Sequence, residues 1–328
     1  RHQPQQPPPK TPTTIDEDPR KFYYGRRGDQ YRAPTVDVID CTRVIHAYNK
    51  SRSKQARQQV KKIYTQMQTA YVQTQNPCIR PNSFTYTSII DTYAKCGDYN
   101  SAMTIFKLQL DEYQHQGNLE AKPTLVTFNT MIDACSKSRS KPKRNEKDAV
   151  DMAEQFLATV QDWYARNELD TPGDVYTYSG VINCWNKSQR PDAPRRALAI
   201  LQAMLDNYHQ STTTTTTTNS EENTANTTTT TTTTHRPIRP NTVIYSSVIN
   251  IFAQHGDIEG AQRVFTMMKD DYERYQNLSA KPNIRTYNMM INAWSKASDT
   301  IHPEAAIVAE ALLFELQSLS TMQFIKEG

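Results

Sequence analysis

No stretch of eighteen apolar residues occurs in this 328-residue chain, so nothing in it is built to cross a bilayer as a helix. Net charge is scarce as well. Thirty-eight Lys and Arg stand against 34 Asp and Glu, leaving +4, and the first 33 residues carry most of that excess. The remainder is close to neutral, which excludes a nucleic-acid binder whose affinity comes from phosphate contacts alone. Paired cysteines are missing too. Cys41, Cys78, Cys96, Cys135 and Cys184 form no CxxC and no metal-ligand spacing with histidine. Cys41, Cys135 and Cys184 fall inside an apolar helical pattern and read as reduced packing thiols of a reducing compartment. No strand signal is found, and an apolar content of 37% is low for one compact core.

What the chain has is a repeat. Pro240-Asn241-Thr242-Val243-Ile244-Tyr245-Ser246-Ser247-Val248-Ile249-Asn250 recurs in altered form, for example from Pro81 to Asp91 and from Pro282 to Asn292. Each copy offers a helix stop, a capping residue, an aromatic, a small polar residue and an Ile/Val/Met run. Asn82, Thr124, Asp174, Asn241 and Asn283 hold the capping place. A second helix follows each copy, with apolar residues at i, i+4 and i+7, such as Ala102 and Phe106, or Ala261, Phe265 and Met268. Five of six second helices lead that face with Ala, the first repeat's leading with Val60; in the sixth repeat the expected face is Ala309, Leu313 and Leu316. The step from Tyr86 to Phe128 is 42 residues, as is that from Tyr245 to Tyr287. In both of these repeats the second helix is expected to run on for about two more turns. Both then close on a matching tag, Asn118-Leu119-Glu120-Ala121-Lys122-Pro123 and Asn277-Leu278-Ser279-Ala280-Lys281-Pro282. A hairpin that buries only part of its apolar face must stack on its neighbours, so the expected fold is an all-α solenoid of about six helix-turn-helix repeats.

The domain organisation follows. Residues 1–33 are Pro-, Gln- and charge-rich and read as a disordered tail. Repeats one to four occupy 34–210, a Thr-rich low-complexity insertion expected to be disordered occupies 211–236, and repeats five and six occupy 237–328. Opening at Arg1 rather than Met, the chain reads as a fragment with its array cut short.

At residues 85–91, 127–133, 177–183 and 286–292 the motif Thr-aromatic-polar followed by an apolar run resembles the pentatricopeptide repeat (PPR) family. Cys96-Gly97-Asp98 and His255-Gly256-Asp257 match that family's turn between paired helices. The resemblance implies a right-handed superhelix holding single-stranded RNA, one base per repeat. It assigns base selection to the polar residue after the first-helix aromatic, here Thr42, Thr87, Asn129, Ser179, Ser246 and Asn288. Asn82, Thr124, Asp174, Asn241 and Asn283 would cooperate in that selection, whereas capping alone also accounts for them. Ile39, Phe84, Val126, Tyr176, Val243 and Arg285 would wedge between bases, Arg285 departing from the apolar norm but able to stack through its guanidinium plane. Read in the family's way, the target is 5′-A-purine-U-A-A-pyrimidine-3′.

No cofactor, metal, small-molecule substrate or catalytic residue is expected. Asp16-Glu17-Asp18, Glu221-Glu222 and Asp270-Asp271 read as solvated charge, and His46, His115 and His255 face no nucleophile. Two alternatives stand beside RNA binding: a protein-binding scaffold of the tetratricopeptide type, with a period of about 34 residues, and the RNA-binding part of a larger processing enzyme. Protein partners are left open. A mitochondrial or plastid setting is implied by the resemblance only.

Overall fold

The computed structural model describes residues 25–27, 30–32, 36–51, 53, 55–138, 148–217, 238–297 and 302–327. Their helices form six hairpins. These are α1 (Val38–Ser51) with α2 (Ala56–Thr74), α3 (Ser83–Lys95) with α4 (Tyr99–Gln114), and α5 (Leu125–Lys137) with α6 (Ala149–Ala165). Then come α7 (Val175–Ser188) with α8 (Ala193–Thr217), α9 (Thr242–Gln254) with α10 (Ile258–Glu273), and α11 (Ile284–Ser295) with α12 (Ala305–Glu327).

Two layers result. Each first helix packs on the next first helix, from α1 through α3, α5, α7 and α9 to α11. Each second helix packs on its own partner and on the first helix that follows. The core is therefore one ribbon shared between neighbours. Phe128 of α5 shows the sharing: its ring meets Phe106 of the preceding hairpin at 5.7 Å and Trp163 of its own at 5.2 Å, both edge to face. Burying a ring of this kind contributes roughly 1.5–3 kcal/mol. Tyr86, Tyr178, Tyr245 and Tyr287 fill the same slot in their repeats, all buried.

Turns and closures are built locally. Gly97 and Gly256 sit at φ of 70° and 74°, a left-handed bend that Gly adopts without penalty. Asp98 and Asp257 then cap the second helices, accepting from Ser101 N and Gly260 N. Gly260 itself has no room for more: a Cβ there would stand 2.2 Å from the Phe252 ring. As expected, α4 and α10 run on past Phe106 and Phe265 to Gln114 and Glu273. Both tags form 3₁₀ turns, Leu119–Ala121 and Leu278–Ala280. Asn118 and Asn277 tie them back to the start of the repeat, donating to the carbonyls of Pro81 and Pro240 at 3.0 and 2.8 Å. Cys135 and Cys184 are buried free thiols, and burial pushes Cys184 up to about 12, so both act as packing groups.

Three expectations need adjusting. Inside the tail, Gly25–Arg27 and Gln30–Arg32 pair as a short antiparallel hairpin, β1 and β2, with Arg27 opposite Gln30. The two residues between them are Gly28 and Asp29, a composition favoured in two-residue hairpins. Second, α8 continues through Thr217, into the Thr-rich insertion. Propagating an existing helix costs little even for threonine, roughly half a kcal/mol per residue. The rest of the insertion, 218–236, and residues 1–24 lie outside the described residues. Third, one member of the expected α12 face changes: Ala309 and Leu316 pack partly buried against the core as expected, but Leu312 is buried in place of Leu313, which is 44% exposed, and Ala305 is buried as well. The face follows 305, 308, 309, 312 and 316, which is the tighter helical stripe.

Candidate nucleic-acid interface

Every first helix begins in the same register. Its second residue is Ile39, Phe84, Val126, Tyr176, Val243 or Arg285, and its fifth is Thr42, Thr87, Asn129, Ser179, Ser246 or Asn288. Positions two and five are three apart and so share a helix face. Because the first helices stack in order, each position forms a row along the array.

The second-position row is apolar and uncovered. Ile39, Phe84, Val126, Tyr176 and Val243 are 54%, 72%, 63%, 77% and 61% exposed. Arg285 is exposed as well. Isolated exposed apolar residues are ordinary, but one in the same place in five successive repeats is a surface with a purpose.

The capping residues do what their chemistry predicts. Asn82, Asp174, Asn241 and Asn283 accept from the backbone N–H three residues on, at 2.8–3.0 Å, and Thr124 closes a capping box with Thr127. In Asn82 and Asn283 the hydroxyl of Thr85 or Thr286 also donates to Oδ1, at 3.0 Å, which leaves the Nδ2 donor to offer; Asn241 keeps Nδ2 and one lone pair. Asp37 caps α1 in the same way, accepting from Asp40 N at 2.9 Å; no Pro directly precedes it, which hid it in the sequence.

The fifth-position row is tied to the next repeat. Thr42 meets Thr85 at 2.8 Å, Thr87 meets Thr127 at 2.9 Å, and Ser246 meets Thr286 at 3.1 Å. Asn129 is held at both ends, donating from Nδ2 to Asp174 at 3.1 Å and accepting at Oδ1 from Thr177 at 2.7 Å. A carboxylate only accepts, so this fixes which way the amide faces. Ser179 touches only the Tyr176 carbonyl of its own helix, at 3.3 Å. Asn288 is exposed. Thr42 alone is withdrawn: it is 7% exposed and donates to the Val38 carbonyl at 2.7 Å. In the first repeat the structure thus presents Ile39 but not the selecting side chain, because α1 packs that hydroxyl against α3.

Two features escaped the sequence reading. Eight residues beyond each fifth position stands an exposed lysine in five of six repeats: Lys50, Lys95, Lys137, Lys187 and Lys296, with Gln254 in the remaining one. Eight residues are about 12 Å of helix, so this second row runs parallel to the first. The other is a cation just before the Pro of four repeats, at Arg80, Lys122, Arg239 and Lys281. Arg80, Lys122 and Arg239 cover aromatic rings of the preceding second helix, Tyr71, Tyr113 and Tyr208, at 4.9, 5.9 and 4.2 Å, and so lock successive repeats together. Both were visible as columns once the copies are aligned on their aromatics. Among the described residues no group of three His, Cys, Asp or Glu side chains is arranged for a metal ion, and no helix is long and apolar enough to cross a membrane.

Comparison with known proteins agrees with the fold. Two family models match, one described as the PPR repeat family over residues 240–296 and one as the pentatricopeptide repeat domain over 72–138. Among solved structures, the pentatricopeptide repeat protein PPR10 from maize aligns with 87% of this chain at 19% identity and a TM-score of 0.50. A second structure, of PPR10 in complex with an 18-nt psaJ RNA element, aligns with 89% at 18% identity and a TM-score of 0.47. The chain spans 30% and 34% of the length of those two. At 19% identity the likeness to the first is one of fold. Among curated proteins no sequence matches this chain.

Proposed function

Because the chain belongs to the pentatricopeptide repeat family, we propose that it binds single-stranded RNA along its first-helix layer, one nucleotide per repeat. The observation that carries this reading is the uncovered second-position row. Flat or branched apolar side chains at regular spacing give unstacked bases a surface, and every base has a face to stack.

Selection falls to the fifth position and the following cap. In the third repeat, Asn129 retains one N–H and a carbonyl lone pair, which suit the acceptor and donor edge of uracil. In the fourth and fifth repeats a serine hydroxyl stands with Asn241 or Asn283, whose free Nδ2 suits an adenine ring nitrogen while the hydroxyl meets the exocyclic amine. Thr87 with Thr124, and Asn288, are further selectors without an assigned base. Ile39 stacks without a selector beside it, and Arg285 stacks through its guanidinium. The lysine row meets the phosphates. The setting proposed is mitochondrial or plastid RNA processing, stability or translation, on family resemblance; localisation of a tagged full-length open reading frame tests it.

The direct test titrates fluorescent single-stranded RNAs containing 5′-UAA-3′ against scrambled ones of equal composition at moderate salt. Preference for the former is expected. Equal affinity removes base selection, and absence of binding favours a protein-binding scaffold.

A further inference from the structure

The third residue of the first helices has no part in the reading above, yet it touches the selectors. It is Thr85, Thr127, Thr177 and Thr286 in repeats two, three, four and six, each fully buried. A buried hydroxyl demands partners, and these find them on both sides. Thr127 and Thr177 accept from the backbone N–H of their own caps, Thr124 at 3.2 Å and Asp174 at 3.0 Å. A hydroxyl has one proton to give. Thr87 spends its proton on the Ser83 carbonyl at 2.8 Å, so in the bond between Thr87 and Thr127 it is Thr127 that donates. Thr177 has two acceptors for its one proton, Asn129 Oδ1 at 2.7 Å and Asp174 Oδ1 at 2.9 Å, and the shorter bond runs in the same sense, to Asn129. At the junctions made by Thr127 and Thr177 polarity thus passes from the N–H of a cap, through the threonine, to the selector of the preceding repeat; Thr85 and Thr286 are also tied to Oδ1 of their own caps, Asn82 and Asn283, at 3.0 Å. The selector is left with a fixed set of donors and acceptors to show a base.

One junction breaks the pattern. In the fifth repeat the third residue is Ile244, equally buried and without a hydroxyl. Ser179, across from it, has only its own helix's Tyr176 carbonyl, and that bond is long. Its hydroxyl is free to turn and can serve as donor or acceptor.

We propose that the buried threonines Thr127, Thr177 and Thr286 are specificity-positioning residues for the preceding repeat's selector, and that Ile244 makes the fourth repeat the most tolerant of the three with an assigned base. The inference rests on the base-selection reading above and adds which residues, none touching RNA, set its sharpness.

The experiment selects a short single-stranded RNA pool, randomised at every position, on the intact chain and sequences the bound fraction. In the parent protein the nucleotide of the fourth repeat should show the flattest base distribution among repeats three to five. Ile244→Thr should sharpen that column by about three- to tenfold in the ratio of best to worst base, the worth of one hydrogen bond, leaving its neighbours unchanged. Thr177→Val keeps the shape and should flatten the third column by a similar factor. A parent fourth column as sharp as the third, or variants that leave these ratios alone, overturns the inference while base selection stands. Columns flat throughout in the parent remove base selection, and the inference with it. Should Thr177→Val fail to fold, Ile244→Thr decides, since it replaces one buried β-branched side chain by another at a place where four repeats already carry Thr.

Discussion

First and second helices of this array obey different rules. First helices are nearly uniform, 12 to 14 residues long, and repeat the same register at positions two, three and five. Second helices run from 16 to 25 residues. A second helix has only to bury one stripe against two neighbours, and a stripe of any length will do that. Keeping six side chains in line along the array is far more demanding, because one inserted residue rotates the face by about 100°. Constancy of register therefore marks the layer that meets a partner, and the Thr-rich insertion follows a second helix, where length is free.

The largest effect expected separates affinity from stability across these layers. Replacing Phe84, Val126, Tyr176 and Val243 together by Ser should lower RNA affinity by more than about a thousandfold, at roughly 1–3 kcal/mol per stacked base. The melting temperature should hardly move, since the four are exposed. Phe265→Ala, in the second layer, should do the reverse and cost about 3–5 kcal/mol of folding stability. If the quadruple variant binds RNA as tightly as its parent, the exposed row is not the binding surface.

Gly260→Val sharpens the second-layer side of the contrast. Phe252 stands 2.2 Å from where its Cβ would lie, so the ring must leave its place, at about 1–3 kcal/mol. Calorimetry reads this as a lowered melting temperature. An unchanged value would mean that α9 and α10 have slack that their close approach denies.

Asp174→Ala, smaller again, touches both properties at once. Losing the cap of α7 costs about 1 kcal/mol. The same change frees the Asn129 amide to turn over, so the third-repeat base preference should flatten. Asp174→Asn separates the effects: it keeps a capping oxygen but no longer dictates the amide's orientation. Loss of stability without any change in preference would make Asp174 a cap and nothing more.

Much of this was legible in the chain. Repetition of Pro-cap-aromatic-polar located five first helices, the apolar pattern from Val38 located the other, and both rows of side chains followed, since register within one helix is set by 3.6-residue geometry. Five of the six caps were equally readable, because a short polar side chain after Pro has few other uses; Asp37 was the exception. Relations between repeats were not. The hydroxyl column at Thr85, Thr127, Thr177 and Thr286 was in plain sight beside the aromatics. Its function, however, depends on how closely two first helices approach, which no spacing within a single copy encodes. Burial of Thr42 has the same origin, as does that of Leu312 in place of Leu313 on α12: both are decided by the helix packed alongside.

The smallest effect tests whether the lysine row belongs to the first layer's function. Each lysine that meets a phosphate should lower the slope of log affinity against log salt by about 0.7 when changed to Gln. Lys95 is the informative case, being held by Asp91 at 2.9 Å and by Asn49 Oδ1 at 2.8 Å. An exposed pair four residues apart on a helix is worth only about 0.3–0.5 kcal/mol, so a phosphate can draw the ammonium away at little cost. Lys50 and Lys95 changed to Gln should accordingly give similar drops in slope, with Lys50→Gln neutral for folding and Lys95→Gln within about 0.5 kcal/mol of it. A slope that moves for neither variant would confine RNA contact to the helix starts, and the two parallel rows would then have separate purposes.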